Sequence, residues 1–190
     1  MIDPKQTLID SLQAGRDAVV WKLEGLSEYD VRRPLTPTGT NLLGLVKHLA
    51  SVEIGYFGET FGRPLDVELP WYADDADPND DLWATPDETR EWVVDLYKLA
   101  WAHAAETFAA VDLDAPGRVP WWSEGRNEVT LHLILVHMVA ETHRHAGHAD
   151  IVRETIDGQA GQRPGDPNLD GDYDFAAYHA RVEAGARQFS

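Results

Sequence analysis

Apolar residues recur along this chain at three- and four-residue spacing, the period of an α-helix with one buried face. Leu8, Leu12 and Val19 share a face of a first helix, predicted from about Pro4 to Leu26 with Gly25 near its end. The turn-rich run Arg33 to Thr40 follows. A second helix is then predicted from about Asn41 to Phe61, with the stripe Leu45, His48, Val52, Tyr56 and a stop at Gly62 and Pro64. Thr85, Pro86 and Glu88 read as a capping box with proline at the first helical position, opening a third helix. That helix continues through Trp92, Leu96, Leu99 and His103 to about Ala110. A fourth is predicted from about Glu128 to Ile156, ending at Asp157-Gly158. A shorter fifth, from about Phe175 to Arg187, follows a Gly/Pro/Asp-rich linker. No stretch shows two-residue alternation flanked by turns, so little or no sheet is expected.

The pattern predicts an all-α protein: a four-helix bundle with a short extra C-terminal helix and long loops. One domain is expected over residues 1–190, with a core at about 4–158 and a tail over 159–190. Two long loops stand out as lid-like. Arg63 to Ala84 is rich in proline and aspartate and carries Trp71 and Trp83, and Asp112 to Asn127 carries Pro120-Trp121-Trp122.

Composition narrows the function. A net charge of −17 repels phosphate backbones and anionic lipid, so neither nucleic acid nor a membrane surface is an expected partner. Arginine outnumbers lysine and alanine is abundant, the flavour of a GC-rich bacterial genome. Cysteine is absent, which excludes thiolate metal sites and a cysteine nucleophile; thiol chemistry would need a thiol from outside. The opening MIDPKQTLIDSL is acidic and polar where a secretory signal is basic and apolar, and Leu133 to Val136 is too short an aliphatic run to span a bilayer. The expected address is the cytoplasm.

The chemistry concentrates in the fourth helix. Five of the eight histidines lie between His132 and His148. His137, Glu141, Arg144, His145 and His148 fall on one stripe, while His132 and His143 point elsewhere. Glu141 and His145 are one turn apart and can reach a single ion; a third ligand must come from another helix. His48 is that candidate, because a histidine on an apolar face is costly to bury without a partner. Taken alone, such a histidine is more often a hydrogen-bonded core residue. Together, His48, Glu141 and His145 form a two-histidine, one-carboxylate set that leaves coordination positions open. His137 and His148 could support the ligands, touch substrate or ligate in their place. Arg144 could anchor an anionic group or pair with the acidic surface. His103, His132, His143 and His179 read as ordinary structural or surface residues.

Sharper motifs fail. There is no HExxH, no paired ExxH, no phosphate-binding loop and no GxSxG elbow. Asp166, Asn168, Asp170 and Gly171 imitate the start of a calcium loop, but its twelfth position is Ala177, and calcium sensing is rejected.

The segments Asn41-Leu42-Leu43-Gly44-Leu45-Val46-Lys47-His48-Leu49 and Glu141-Thr142-His143-Arg144-His145-Ala146-Gly147-His148-Ala149-Asp150 carry a family resemblance. With Ile151 to Glu154, Asp157-Gly158 and Pro120-Trp121-Trp122, the chain resembles the DinB/YfiT-like metalloprotein superfamily. Within it, the match is to the branch of mycothiol-dependent, maleylpyruvate isomerase-like enzymes and their uncharacterised relatives. The resemblance implies a four-helix bundle holding a divalent metal, zinc first and nickel second. The family's first histidine falls on His48 and its last on His145. The middle ligand, commonly histidine, is here Glu141, as in the maleylpyruvate isomerase branch. His148 stands where glutamine is often found, and members are often homodimers.

The leading expectation is a metal-dependent transferase or isomerase that activates a low-molecular-weight thiol of the mycothiol type against an electrophile held under the tryptophan-bearing loops. Arg144 and His148 are the candidate catalytic residues, and Trp121 and Trp122 the candidate cofactor-binding residues. The rivals are a metal-dependent hydrolase using the same ligands on water, and a non-catalytic metal-binding or stress-response module.

Overall fold

The computed structural model describes residues 2–166, 169 and 171–189. Asp3 opens the first helix, α1 (Pro4–Trp21), its carboxylate accepting from the Lys5 N–H with proline in the first turn. The predicted continuation to Leu26 does not form: the chain turns over residues 22–25, and Gly25 takes φ +73°, a conformation open to glycine. A five-residue helix, α2 (Glu28–Arg32), follows behind a Ser27 cap; it is too short to show a period in sequence. The second long helix, α3 (Leu42–Phe57), starts where Asn41 Oδ1 accepts from the Gly44 N–H at 2.7 Å. It breaks at Gly58, leaving Glu59–Phe61 as a separate 3-10 turn.

The third long helix is displaced from its predicted start. The helix α4 (Arg90–Ala110) is capped by Thr89, not Thr85. Glu88 does reach back to the Thr85 N–H at 2.8 Å, half of the expected box. Its carboxylate, however, also holds Lys47 Nζ at 2.9 Å, so residues 85–88 form a turn anchored on α3. Next comes a small antiparallel ribbon, β1 (Pro116–Arg118) against β2 (Glu128–Thr130), which is the only sheet among the described residues. It takes the first residues expected to be helical, so α5 (Leu131–Asp157) begins after Thr130, whose hydroxyl caps the Leu133 N–H. Gly158, at φ +79°, ends it as predicted.

The four long helices pair as α3 with α4 and α1 with α5, and α3 also faces α5. One end of the core holds Val19, Leu43, Val46, Tyr97, Ala100 and Ala149, and the other Leu12, Phe57, Phe108, Leu131 and Met138. The architecture is the predicted all-α bundle. The final helix, α6 (Phe175–Ala186), has no buried residue. Asn168 and Asp170 of the rejected calcium-loop match lie outside the described residues. No helix among the described residues is long and apolar enough to cross a membrane.

One buried cation ties the first long loop to the bundle. Lys47, 1% exposed, donates to the carbonyls of Asp80 and Trp83 at 2.9 and 3.0 Å and pairs with Glu88. Its ammonium also lies 4.0 Å from the centre of the Trp71 ring. A lysine removed from water requires such a full set of partners. The Asp80–Leu82 turn is therefore held against α3.

Candidate metal centre

His48 lies on the face of α3 that meets α5, one turn on from Gly44. Glu141 and His145 stand one turn apart on α5, facing it. His145 Nε2 is 3.0 Å from Glu141 Oε1, and His48 Nε2 is 3.7 Å from the same oxygen. One ligand atom from each of the three falls within 4.8 Å of the others. In a tetrahedral zinc site, donors about 2.1 Å from the ion sit roughly 3.4 Å apart, so the set has nearly closed to ligand spacing. The three side chains are 18%, 27% and 12% exposed, which leaves the cluster reachable from solvent.

The far side of each ring is also held. His48 Nδ1 lies 2.6 Å from Asp81 Oδ2; a carboxylate only accepts, so Nδ1 carries the proton and the Nε2 lone pair faces the cluster. Asp81 comes from the turn that Lys47 pins to α3. His145 Nδ1 lies 3.4 Å from His148 Nδ1. When Nε2 of His145 serves as a ligand, its remaining proton sits on Nδ1, where the His148 nitrogen can accept it.

The electrostatics suit a dication. Burial lowers the pKa of His145, and the neighbouring His48 ring adds to that, so both forces favour the neutral ring that a metal requires. Burial acts against the Glu141 carboxylate, but the His145 and His48 rings outweigh it and hold its pKa below the ordinary value. Two carboxylates, Glu141 and Asp81, thus flank two imidazoles with no lysine or arginine bonded to either carboxylate among the described residues. These residues fit a divalent ion.

The remaining predicted residues spread out from this point. His148 contacts the cluster through His145. Arg144 is exposed and makes no hydrogen bond or ion pair among the described residues. His137, its pKa lowered by burial, packs edge-on against Tyr56 and Trp122 instead of joining the ligands. Trp122 donates from Nε1 to the Tyr56 hydroxyl at 3.0 Å. Trp121 lies over Gly55, whose missing side chain makes room for it: a Cβ there would be 2.7 Å from the indole. His143 bonds the Ser11 carbonyl, His103 is buried against Gly58, and His132 and His179 are exposed, in keeping with structural or surface roles.

Asp81 was not singled out in the sequence. Nothing distinguishes it from Asp74, Asp75, Asp77 and Asp80 in the same loop, and only the fold aims it at His48. Tyr72 was missed for the same reason. Burial and the nearby Asp81 charge raise the pKa of its hydroxyl.

A family model described as mycothiol S-transferase matches residues 7–158. The span runs from within α1 to the residue after α5 and takes in every residue of the cluster, together with Asp81, Trp121 and Trp122. No curated protein matches the chain.

Proposed function

The chain belongs to the mycothiol S-transferase family, a DinB/YfiT-like family, and on that premise we propose a metal-dependent transfer of an external thiol to an electrophile. The observation that carries the reading is the convergence of His48, Glu141 and His145 to within 4.8 Å in a chain without cysteine. These three residues would hold a divalent ion, with zinc ahead of nickel because an N,N,O set with an open position is ordinary for zinc. Bound there, the ion supplies positive charge and an open position, at which a thiol is more acidic than in water.

The protein's own residues supply the rest. Asp81 keeps the proton of His48 on Nδ1, so its Nε2 lone pair faces inward. His145 Nε2 donates to Glu141 before an ion binds, and would turn its lone pair inward once its proton sits on Nδ1, where His148 can accept it. In this reading His148 is a positioning residue. Arg144, one turn from Glu141 at the exposed rim, meets an anionic group of an incoming molecule. Trp121 and Trp122 cover the approach beyond Tyr56. In the transfer, the thiol proton leaves to solvent and a sulfur lone pair forms the new bond to carbon. The bond from carbon to the leaving group breaks, and that group departs with the electron pair. Such chemistry belongs in the cytoplasm, where low-molecular-weight thiols are kept reduced, and the acidic surface argues against nucleic acid as a partner.

The test is metal content by elemental mass spectrometry on untagged protein, beside His48→Ala and His145→Ala, with mycothiol consumption assayed in parallel. About one ion per chain, lost in both variants while helicity persists, is expected, with thiol consumption lost alongside it. Protein that stays metal-free when offered Zn²⁺ or Ni²⁺ would overturn the reading.

A further inference from the structure

A cavity opens along α3 one turn beyond His48, with further lining from the loops that carry Leu69, Tyr72 and Trp121. On α3, Val52 lies one turn beyond His48, and Gly55 and Tyr56 follow it. On α5, His137 lies one turn before Glu141 and meets Tyr56 with ring centres 4.8 Å apart. The cavity has a volume of about 480 Å³, within the range of small-molecule sites. Val52, Tyr56, Leu69 and Trp121 form its apolar and aromatic lining, with Trp121 and Tyr56 edge to face at 5.2 Å. Gly55 gives it a bare backbone floor beneath the indole.

Its polarity is one-sided. The lining contains no lysine, arginine or histidine, and its one ionised residue is Glu59, which is exposed. Ser51 is already committed: it donates to the Lys47 carbonyl at 2.8 Å and accepts from Trp71 Nε1 at 2.9 Å. The Tyr56 hydroxyl is already engaged by Trp122 Nε1, and Tyr72 adds one more hydroxyl. A sugar with many hydroxyls would therefore find few partners here, whereas aromatic rings find complementary edges and faces. An anionic ligand would lose its water, gain no cation and face the Glu59 carboxylate.

We propose that this cavity seats the electrophilic partner of the transfer, and that it selects uncharged or cationic aromatic compounds over anionic ones. Assigning it to the electrophile rests on the transfer reading above; the charge preference rests on the cavity alone.

The experiment titrates unreactive probes into the metal-loaded protein and follows the Trp121 indole N–H by NMR. The probes are 4-methylbenzyl alcohol, 4-methylbenzylammonium and 4-methylbenzoate. The alcohol and the ammonium are expected to bind at least tenfold more tightly than the carboxylate, and mycothiol should not displace them. Glu59→Lys, an exposed change, should bring the carboxylate to within about threefold of the alcohol. Gly55→Ala should weaken the alcohol at least fivefold by pushing Trp121 away. Alanine is a better helix former than glycine, so loss of fold is not expected to mask that result. Equal affinity for alcohol and carboxylate, an unmoved Trp121 signal, or competitive displacement by mycothiol would overturn the proposal. A parallel assay offers mycothiol with 4-nitrobenzyl chloride and 4-(chloromethyl)benzoate. Turnover of both at equal rates overturns the cavity's selectivity while leaving the transfer reading standing. Selective probe binding with no turnover of either compound keeps the charge preference and removes the electrophile assignment together with the transfer reading.

Discussion

The Nδ1 atom of His48 lies 2.6 Å from Oδ2 of Asp81, across a sequence separation of 33 residues. That contact fixes the tautomer of a ring whose other nitrogen faces Glu141, and it places a second carboxylate behind the imidazole. Asp81→Asn keeps the shape but removes the charge and allows the amide to present a donor to Nδ1. Metal affinity should fall about 10- to 100-fold, the usual effect of losing such a supporting carboxylate. Isothermal titration with Zn²⁺ checks this against unchanged helicity. Affinity equal to wild type would show that Asp81 does not support the ligand.

Gly44 tests the same contact from the other side. A Cβ at this position would lie 1.9 Å from the Leu82 carbonyl oxygen, a backbone atom that no rotamer change can move. Alanine gains roughly 1 kcal/mol of helix propensity over glycine in an ordinary helix interior. Here the clash should reverse the sign, for a net loss of about 1–3 kcal/mol in urea unfolding. Because Leu82 adjoins Asp81, metal affinity should fall as well. The double variant with Asp81→Asn should lose less affinity than the two single effects added, since both act through one contact.

The parts of the fold legible in the sequence are those that repeat. Leucine and valine spacing reveals the four long helices, and Gly158 marks the end of α5, because burial on one face imposes a period and a chain reversal favours glycine. The cluster was legible for a related reason: Glu141 and His145 share one helix face, and His48 interrupts an apolar stripe. What the sequence did not reveal depends on tertiary contact. Glu88 looked like a helix-capping residue until Lys47 claimed its carboxylate. Asp81 acquires its role only because Lys47 pins the turn that carries it, and α2, at five residues with Val31 its one buried position, is too short to repeat a buried position.

The displaced start of α4 gives a direct comparison. Thr89 Oγ1 accepts from the Trp92 N–H at 3.1 Å, whereas no hydrogen bond is made by the Thr85 hydroxyl among the described residues. Thr89→Ala should cost about 1 kcal/mol, the usual worth of an N-cap. Thr85→Ala should fall within about 0.5 kcal/mol of wild type, as surface changes do. Paired thermal or urea melts decide it. A larger loss at Thr85 would restore the start expected from the sequence.

A last prediction concerns acid. Arg153, 2% exposed, reaches from α5 to the carbonyls of Lys22 and Glu24 at 2.8 Å each and clasps Asp157 through Nε and Nη2. The guanidinium hydrogen bonds hold the Asp157 pKa below its ordinary value, more strongly than burial raises it. A carboxyl whose pKa is lowered on folding contributes stability that is fully present above its unfolded pKa, about 3.9, and lost as pH falls through the lower folded value. Asp157→Asn should therefore cost about 1 kcal/mol at pH 7, a modest figure because the carboxylate is partly solvated and asparagine can still accept from Arg153. The deficit should stay constant from pH 7 down to about pH 5 and shrink below about pH 4, as the carboxyl takes up a proton first in the unfolded chain and then, at lower pH, in the folded one. Urea unfolding of both proteins in the presence of chelator, so that metal release does not enter, measures the difference directly. A deficit that persists unchanged at pH 3 would mean that the loss comes from packing around the α5 terminus and not from the Asp157 charge.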